Sequence, residues 1–252
     1  DEDFCFEEFA DRVAELVEKH VNINRLLELT KPVATAVVPI SAGRHIYKRE
    51  PSFPIAVACD PAFNFVYEAN IRYLHHLGEV TYFSPLADTS LPDVGFVYLP
   101  GGYPELYLAA LSANRQMLQS IRRYVESGGK LLAECGGMMY LCDEIRDKNG
   151  DVYPMAGVLH QSATMENMKL RLGYRTLLYN ETRLKGHEFH YSRLVEQQNP
   201  LPSCAVAYTA KGVETDTPLY HYKNVWAGYT HLYWADPVGN EWFTKFVIDG
   251  NT

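Results

Sequence analysis

The segment Leu131-Leu132-Ala133-Glu134-Cys135-Gly136-Gly137-Met138 is the part of this chain best suited to covalent chemistry. Its apolar run predicts a buried strand over Lys130–Glu134, followed by a helix over Met138–Ile145. In open α/β sheets ligands gather at the carboxyl ends of the strands. Cys135 falls at such an end, on a tight turn into a helix. A turn of this kind strains the backbone and exposes the side chain, and Gly136 and Gly137 supply the room. A helix N-terminus beneath the sulfur favours the thiolate. The amide of Gly136 would point where an oxyanion forms. The plainer reading is a strand–helix turn with Cys135 as a buried filler.

A second oxyanion donor is available. Leu99-Pro100-Gly101-Gly102-Tyr103-Pro104-Glu105 ends the preceding strand and opens another helix. The adjacent glycines Gly101 and Gly102 let a backbone amide come close to a carbonyl oxygen. Alone this is a βα turn. Two such motifs on consecutive strands are far more specific.

A thiol nucleophile needs a base, and the chain has nine histidines. His20, His45, His75, His76, His160 and His221 read as structural. His187 and His190 lie in Gly186-His187-Glu188-Phe189-His190-Tyr191-Ser192, which is not HExxH. On a strand their rings face opposite sides, so no metal site is expected. His231 ends the run Val225-Trp226-Ala227-Gly228-Tyr229-Thr230, where a late strand could deliver a base. Position alone does not choose between His231 and His190. The cysteines are Cys5, Cys59, Cys135, Cys142 and Cys204, an odd number without CxxC. They read as reduced thiols of a cytoplasmic protein.

The elements that must hold these groups alternate. Strands are predicted at Ile55–Cys59, Val80–Phe83, Val94–Leu99 and Lys130–Glu134. Helices are predicted at Asn64–Leu77, Pro104–Leu111 and Arg115–Ser127. Such alternation implies βαβ units and a mostly parallel central sheet flanked by helices. After residue 151 short β-type stretches follow at Met155–Leu159, Arg175–Tyr179, His187–Tyr191, Cys204–Tyr208 and Val225–His231. Glu241–Ile248 reads as a last helix. Ahead of the α/β part, residues 3–20 form an amphipathic helix and a short helix begins at Asn24. Lys31–Pro54 reads as a linker with one short strand at Ala34–Val38. Phe63, Phe65, Tyr67 and Tyr73 are either helix packing or a surface for a partner.

The 252 residues carry 23 Lys+Arg against 31 Asp+Glu, a formal charge of −8. That balance argues against nucleic acid as a partner. No apolar run reaches the roughly 18 residues that a membrane span requires. The chain begins DEDFCFEEF without Met or a signal pattern. It reads as a processed chain or as a piece of a longer one.

LPGGYPE, AECGGMMYL and GHEFHYS, in that order, resemble the glutaminase domain of cobyrinic acid a,c-diamide synthase, a class I glutamine amidotransferase of cobalamin synthesis. The resemblance runs from about residue 53 to 252 and includes CDPAFNFVYEAN, FSPLADTSLPD, Pro154-Met155-Ala156-Gly157 and Gly173-Tyr174. It implies a flavodoxin-like α/β fold with antiparallel strands in the C-terminal part. It implies Cys135 as nucleophile, His231 as its base, and Gly101, Gly102 and Gly136 around the oxyanion and glutamine. It further implies that residues 1–50 are the tail and linker of an absent ATP-dependent amidoligase domain, with 51–252 the glutaminase. No phosphate-binding GxxxxGK[ST] occurs, so ATP and Mg are expected on that absent domain, with no cofactor in this chain. The tetrapyrrole, cobyrinic acid by default, would also be handled there. A homodimer is one assembly open to it.

One departure stands out. Most class I glutaminases carry a Glu two residues after the histidine to orient its ring. Here Tyr233 stands there, as the resembling family also lacks that Glu. Glu188 and Asp236 are the unranked substitutes. Two other readings remain open at this level. One is a cysteine hydrolase or deglycase on the same scaffold. The other is a catalytically silent domain that docks an ATPase.

Overall fold

The computed structural model describes residues 6–30 and 53–249. The chain divides into two compact units, Asp1–Lys48 and Arg49–Thr252. The first holds helices α1 (Phe6–His20) and α2 (Ile23–Leu29). Asn22 caps α2 by accepting from the Arg25 amide at 2.9 Å. The strand read at Ala34–Val38 lies outside the described residues.

The second unit opens with four strands, β1 (Phe53–Ala58), β2 (Gly78–Phe83), β3 (Phe96–Leu99) and β4 (Lys130–Glu134). The helices between and after them are α3 (Glu68–Leu77), α4 (Leu108–Ala113), α5 (Arg115–Glu126) and α6 (Gly136–Leu141). Eleven further strands follow. They are β5 (Glu144–Arg146), β6 (Val152–Pro154), β7 (Ser162–Thr164), β8 (Arg171–Tyr179), β9 (Thr182–His190), β10 (Arg193–Leu194), β11 (Val206–Thr209), β12 (Glu214–Thr215), β13 (Leu219–Tyr222), β14 (Val225–Gly228) and β15 (His231–Leu232). Helix α7 (Pro237–Thr244) runs into a wider turn over Lys245–Asp249.

The central sheet has the order β13-β14-β4-β3-β1-β2. All its pairs are parallel except β13 with β14. Side chains alternate across it, as the period of two demands. Ala56, Val97 and Leu131 face α5 and α6, packing with Met117, Ile121 and Met138. Ile55, Phe96 and Leu132 face the other way, packing with Leu74, Trp226, Trp234 and Phe243. A five-stranded antiparallel sheet, β12-β11-β8-β9-β15, adds Leu177, Leu184 and Ala207 to this second layer. A smaller four-stranded sheet has the order β10-β7-β5-β6.

Several predicted boundaries shift for physical reasons. The helix expected over Asn64–Leu77 starts only at Glu68, because Phe65 donates its amide to the Gly101 carbonyl at 3.0 Å. The helix expected to reach Ile145 ends at Leu141, and Glu144–Arg146 is a strand. Met155–Leu159 is no strand. Its amides at Ala156, Gly157, Val158 and Leu159 take the carbonyls of Tyr140, Cys142 and Leu141 instead. These are the acceptors a helix end leaves unfilled. The run Val225–His231 splits between two sheets, β14 in the first and β15 in the second.

Leu132 is 1% exposed on the central strand. Leu132→Ala should cost about 2–5 kcal/mol, read as a lower urea midpoint at unchanged slope. A loss under about 1 kcal/mol would contradict this packing.

Candidate active site

Cys135 follows the last residue of β4 and precedes α6. Its backbone has φ 48° and ψ −108°, a region non-glycine residues avoid. Strain of this kind persists only where the surroundings over-determine it. Here the Cys135 amide donates to the Gly228 carbonyl at 2.8 Å, and its carbonyl accepts from Met139 at 3.0 Å. The side chain is buried, with Sγ 3.9 Å from the Phe189 carbonyl oxygen.

The diglycine loop packs directly against this turn. A Cβ on Gly136 would lie 2.7 Å from Pro104 Cδ and 3.2 Å from the Gly102 amide nitrogen. The backbones carrying the two candidate oxyanion amides therefore touch. Gly101 has a different neighbour. A Cβ there would come within 2.1 Å of His231 Cε1. Only glycine leaves space for that imidazole.

His231 comes from the second sheet, paired with His187 across β15 and β9. Its ring stacks on His187 at 4.9 Å between centroids, inclined by 18°. The Phe65 ring meets it edge-on at 4.6 Å. Tyr67 hydrogen-bonds to Nδ1 of His187 through its hydroxyl. Among the described residues no hydrogen-bond partner reaches the buried Nδ1 of His231. Neither predicted carboxylate reaches it. Glu188 is buried in an ion pair with Arg175 at 2.8 Å. Asp236 caps α7 by accepting from the Gly239 amide at 2.7 Å. Tyr233 packs edge-on against Tyr67.

The backbone around His231 is clamped instead. Glu134 Oε1 accepts from the Leu232 amide at 3.0 Å and from Trp234 Nε1 at 3.4 Å. Its Oε2 accepts from the Tyr98 hydroxyl at 2.6 Å. Asn70 donates to the Leu232 carbonyl at 2.8 Å and accepts from the Trp234 amide at 3.2 Å. Every one of these partners is buried.

Cys135 and His231 line one cavity of about 300 Å³ with Gly102, Tyr103, His187 and Phe189. A narrower crevice on the other side of Cys135 is lined by Glu105, His190 and Ser192. His190 stacks on Tyr229 at 3.8 Å, and its Nδ1 donates to the Ser192 carbonyl at 2.9 Å. The structure thus brings Cys135, His231, Gly101, Gly102 and Gly136 together. The two histidines of β9 do point to opposite sides, one to each chamber.

Electrostatics correct one expectation. Burial pushes the Cys135 thiol up to about 12, and the charges of Glu105, Glu134 and Glu188 add to it. The Gly136 amide opposes this and is outweighed. Burial also lowers His231 to about 3, with His187 and His190 adding to the shift. The pair therefore rests as a thiol and a neutral imidazole, and the helix N-terminus does not by itself hold a thiolate.

Sequence reasoning missed Glu134, Asn70 and His187, and left Phe65 and Tyr67 undecided. Phe65 and Tyr67 frame the histidine pair, while Phe63 packs on Tyr140 and Tyr73 on Phe243.

The fold is that of a class I glutamine amidotransferase. PurLQS from Thermotoga maritima superposes with a TM-score of 0.50 at 18% identity, over 71% of this chain and 87% of that one. A solved glutamine amidotransferase superposes with a TM-score of 0.50 at 16% identity, over 77% and 98%. More particularly, the chain belongs to the CobB/CobQ-like glutamine amidotransferase domain family, whose model matches residues 54–238. It is similar to hydrogenobyrinate a,c-diamide synthase of Pseudomonas aeruginosa, 40% identical over 71% of this chain and 41% of that protein. It is similar to cobyrinate a,c-diamide synthase of Picrophilus torridus, 36% identical over 88% and 49%. The corresponding Clostridium acetobutylicum protein is 35% identical over 94% and 53%. The chain spans about half the length of these relatives.

Two outcomes test this geometry. Gly101→Ala should displace the His231 ring, lower any glutamine hydrolysis roughly 100-fold, and cost about 1–3 kcal/mol of stability, because the added Cβ overpacks a buried site. Wild-type turnover would contradict the contact. Burial raises Glu134 from 4.5 to about 7. The unfolded chain then gives up this proton first, so the group removes stability as pH rises from 4.5 and most fully above 7. In Glu134→Gln that loss is absent. The variant should gain about 3 kcal/mol relative to wild type between pH 4 and pH 8. A difference independent of pH, by urea titration, would refute the assignment.

Proposed function

We propose that this domain hydrolyses glutamine through a thioester on Cys135 and supplies the ammonia to an ATP-dependent amidation. The observation that carries this reading is the cavity shared by a strained, buried cysteine and a neutral histidine, beside two adjoining backbone amides.

The side-chain amide carbon of glutamine would sit over Cys135 Sγ. His231 takes the thiol proton as sulfur attacks the carbonyl. The amides of Gly102 and Gly136 receive the oxyanion, each worth about 3–4 kcal/mol in such a role. The C–N bond then breaks, and His231 returns the proton to the departing nitrogen, which leaves as ammonia. A water enters and His231 takes its proton. The hydroxide adds to the thioester, and glutamate departs as sulfur recovers the proton. Protons balance over the cycle.

The relatives' names suggest where the ammonia goes. By that likeness the acceptor carboxylates belong to a tetrapyrrole of the cobyrinate or hydrogenobyrinate kind. The activation by ATP and Mg²⁺ would belong to an amidoligase domain joined to residues 1–50. Among the described residues no helix is long and apolar enough to cross a membrane.

Glutamate release from glutamine tests the chemistry. Cys135→Ala should abolish it, and His231→Ala should lower it by about 10²–10⁴-fold. Wild-type turnover in the cysteine variant would end the proposal.

A further inference from the structure

Glu105 lies three residues after Gly102, on the loop that carries one of the two oxyanion amides. Pro104 wedges this loop against the start of α6 at Gly136. The loop is pinned further by the Tyr103 amide, which donates to the Ala62 carbonyl at 3.0 Å, and by the Tyr107 amide, which donates to Pro104 at 2.9 Å. The carboxylate is thereby held in the wall of the narrow crevice that opens onto Cys135, opposite His190 and Ser192.

Its position is unfavourable on two counts. Among the described residues Glu105 forms no ion pair, and burial raises its carboxyl above the usual range. Its negative charge also disfavours the Cys135 thiolate. A carboxylate that opposes the nucleophile beside it is costly unless a cation arrives with the substrate. His190 is no such cation, because burial lowers it and keeps its ring neutral. The crevice holds only about 10 Å³, room for one small group such as an ammonium, and it shares Gly102, Tyr103, Cys135 and Phe189 with the larger cavity, which could take an extended aliphatic chain. Glutamine bound by its amide carbon at Cys135 carries an ammonium four bonds away along such a chain.

We propose that Glu105 binds the α-ammonium of glutamine and is the residue that makes Cys135 selective for an α-amino acid amide. This rests on the glutaminase reading and deepens it. One ion pair then serves two ends. It anchors the substrate, and it cancels one of the charges that add to burial in holding the thiol protonated, so the nucleophile is easier to deprotonate when the right substrate is present. Other amides and simple electrophiles leave Glu105 uncompensated.

Covalent labelling of Cys135, followed by intact mass, tests this without depending on turnover. Three probes are compared on the whole chain. They are 6-diazo-5-oxo-L-norleucine, its analogue lacking the α-amino group, and iodoacetamide. In the wild type the amino compound should label at least ten times faster than the des-amino analogue. In Glu105→Gln that ratio should fall towards one, while the iodoacetamide rate holds or rises. Glu105→Asp, which keeps the charge, should retain part of the selectivity. A ratio unchanged in Glu105→Gln overturns the proposal and leaves the glutaminase reading intact. Iodoacetamide labelling of Cys135 with no reaction of either diazo compound in the wild type overturns both.

Discussion

The site depends on one buried carboxylate that is not itself in either chamber. Glu134 ends the central strand and immediately precedes Cys135. It holds the backbone just after His231, through the Leu232 amide, and braces it again through Trp234. Cys135 comes from a parallel sheet and His231 from an antiparallel one, and these sheets share no hydrogen-bonded strand pair. A cysteine–histidine pair assembled from two sheets needs a cross-tie. Hydrophobic packing of Trp234 on Tyr98 and Phe243 brings the layers together. Packing alone is nondirectional. The three donors converging on Glu134 set the register between the layers, and Asn70 fixes the same segment from the other side.

Burying a carboxylate costs several kcal/mol unless its lone pairs are filled. Glu134 meets that condition with neutral donors only, and burial still wins over them, as the raised carboxyl shows. The cross-tie thus trades stability for geometry. The same trade recurs at Cys135, whose backbone strain is held by the Gly228 and Met139 hydrogen bonds. It recurs again at Arg175–Glu188, an ion pair sealed beneath the second sheet. Locally unfavourable choices thus recur among the residues that support Cys135 and the second sheet.

That contrast accounts for what could be read in advance. The central strands announce themselves by apolar runs, and the elbow and the diglycine loop by glycine spacing, because these are local properties of the chain. The split of Val225–His231 between two sheets is not local. The run begins apolar and aromatic, and nothing in its order shows that Tyr229 and Thr230 turn the chain from one layer to the other. Glu134 was equally silent, since a glutamate at the end of an apolar strand usually marks the surface. Met155–Leu159 misled for the opposite reason. It has the composition of a strand, yet its amides are consumed by the carbonyl end of α6. His187 was read correctly as facing away from His190, but only the strand pairing shows that it faces His231.

The missing acid partner of His231 then follows from this architecture. A carboxylate on Nδ1 would stabilise the imidazolium and raise its basicity. Here the ring is held by stacking on His187, by the edge of Phe65 and by the absence of a side chain on Gly101. These contacts fix orientation and favour the neutral form. In the proposed hydrolysis each proton that His231 takes would be handed on in the step that follows, and a neutral histidine that is a poor proton store suits such a sequence. There the proton removed from sulfur would pass to the leaving nitrogen, and the one removed from water would pass back to sulfur. A strongly basic histidine would keep the proton and stall the departure of ammonia. Position, more than basicity, is what this site asks of His231, and the aromatic stack supplies position without charge.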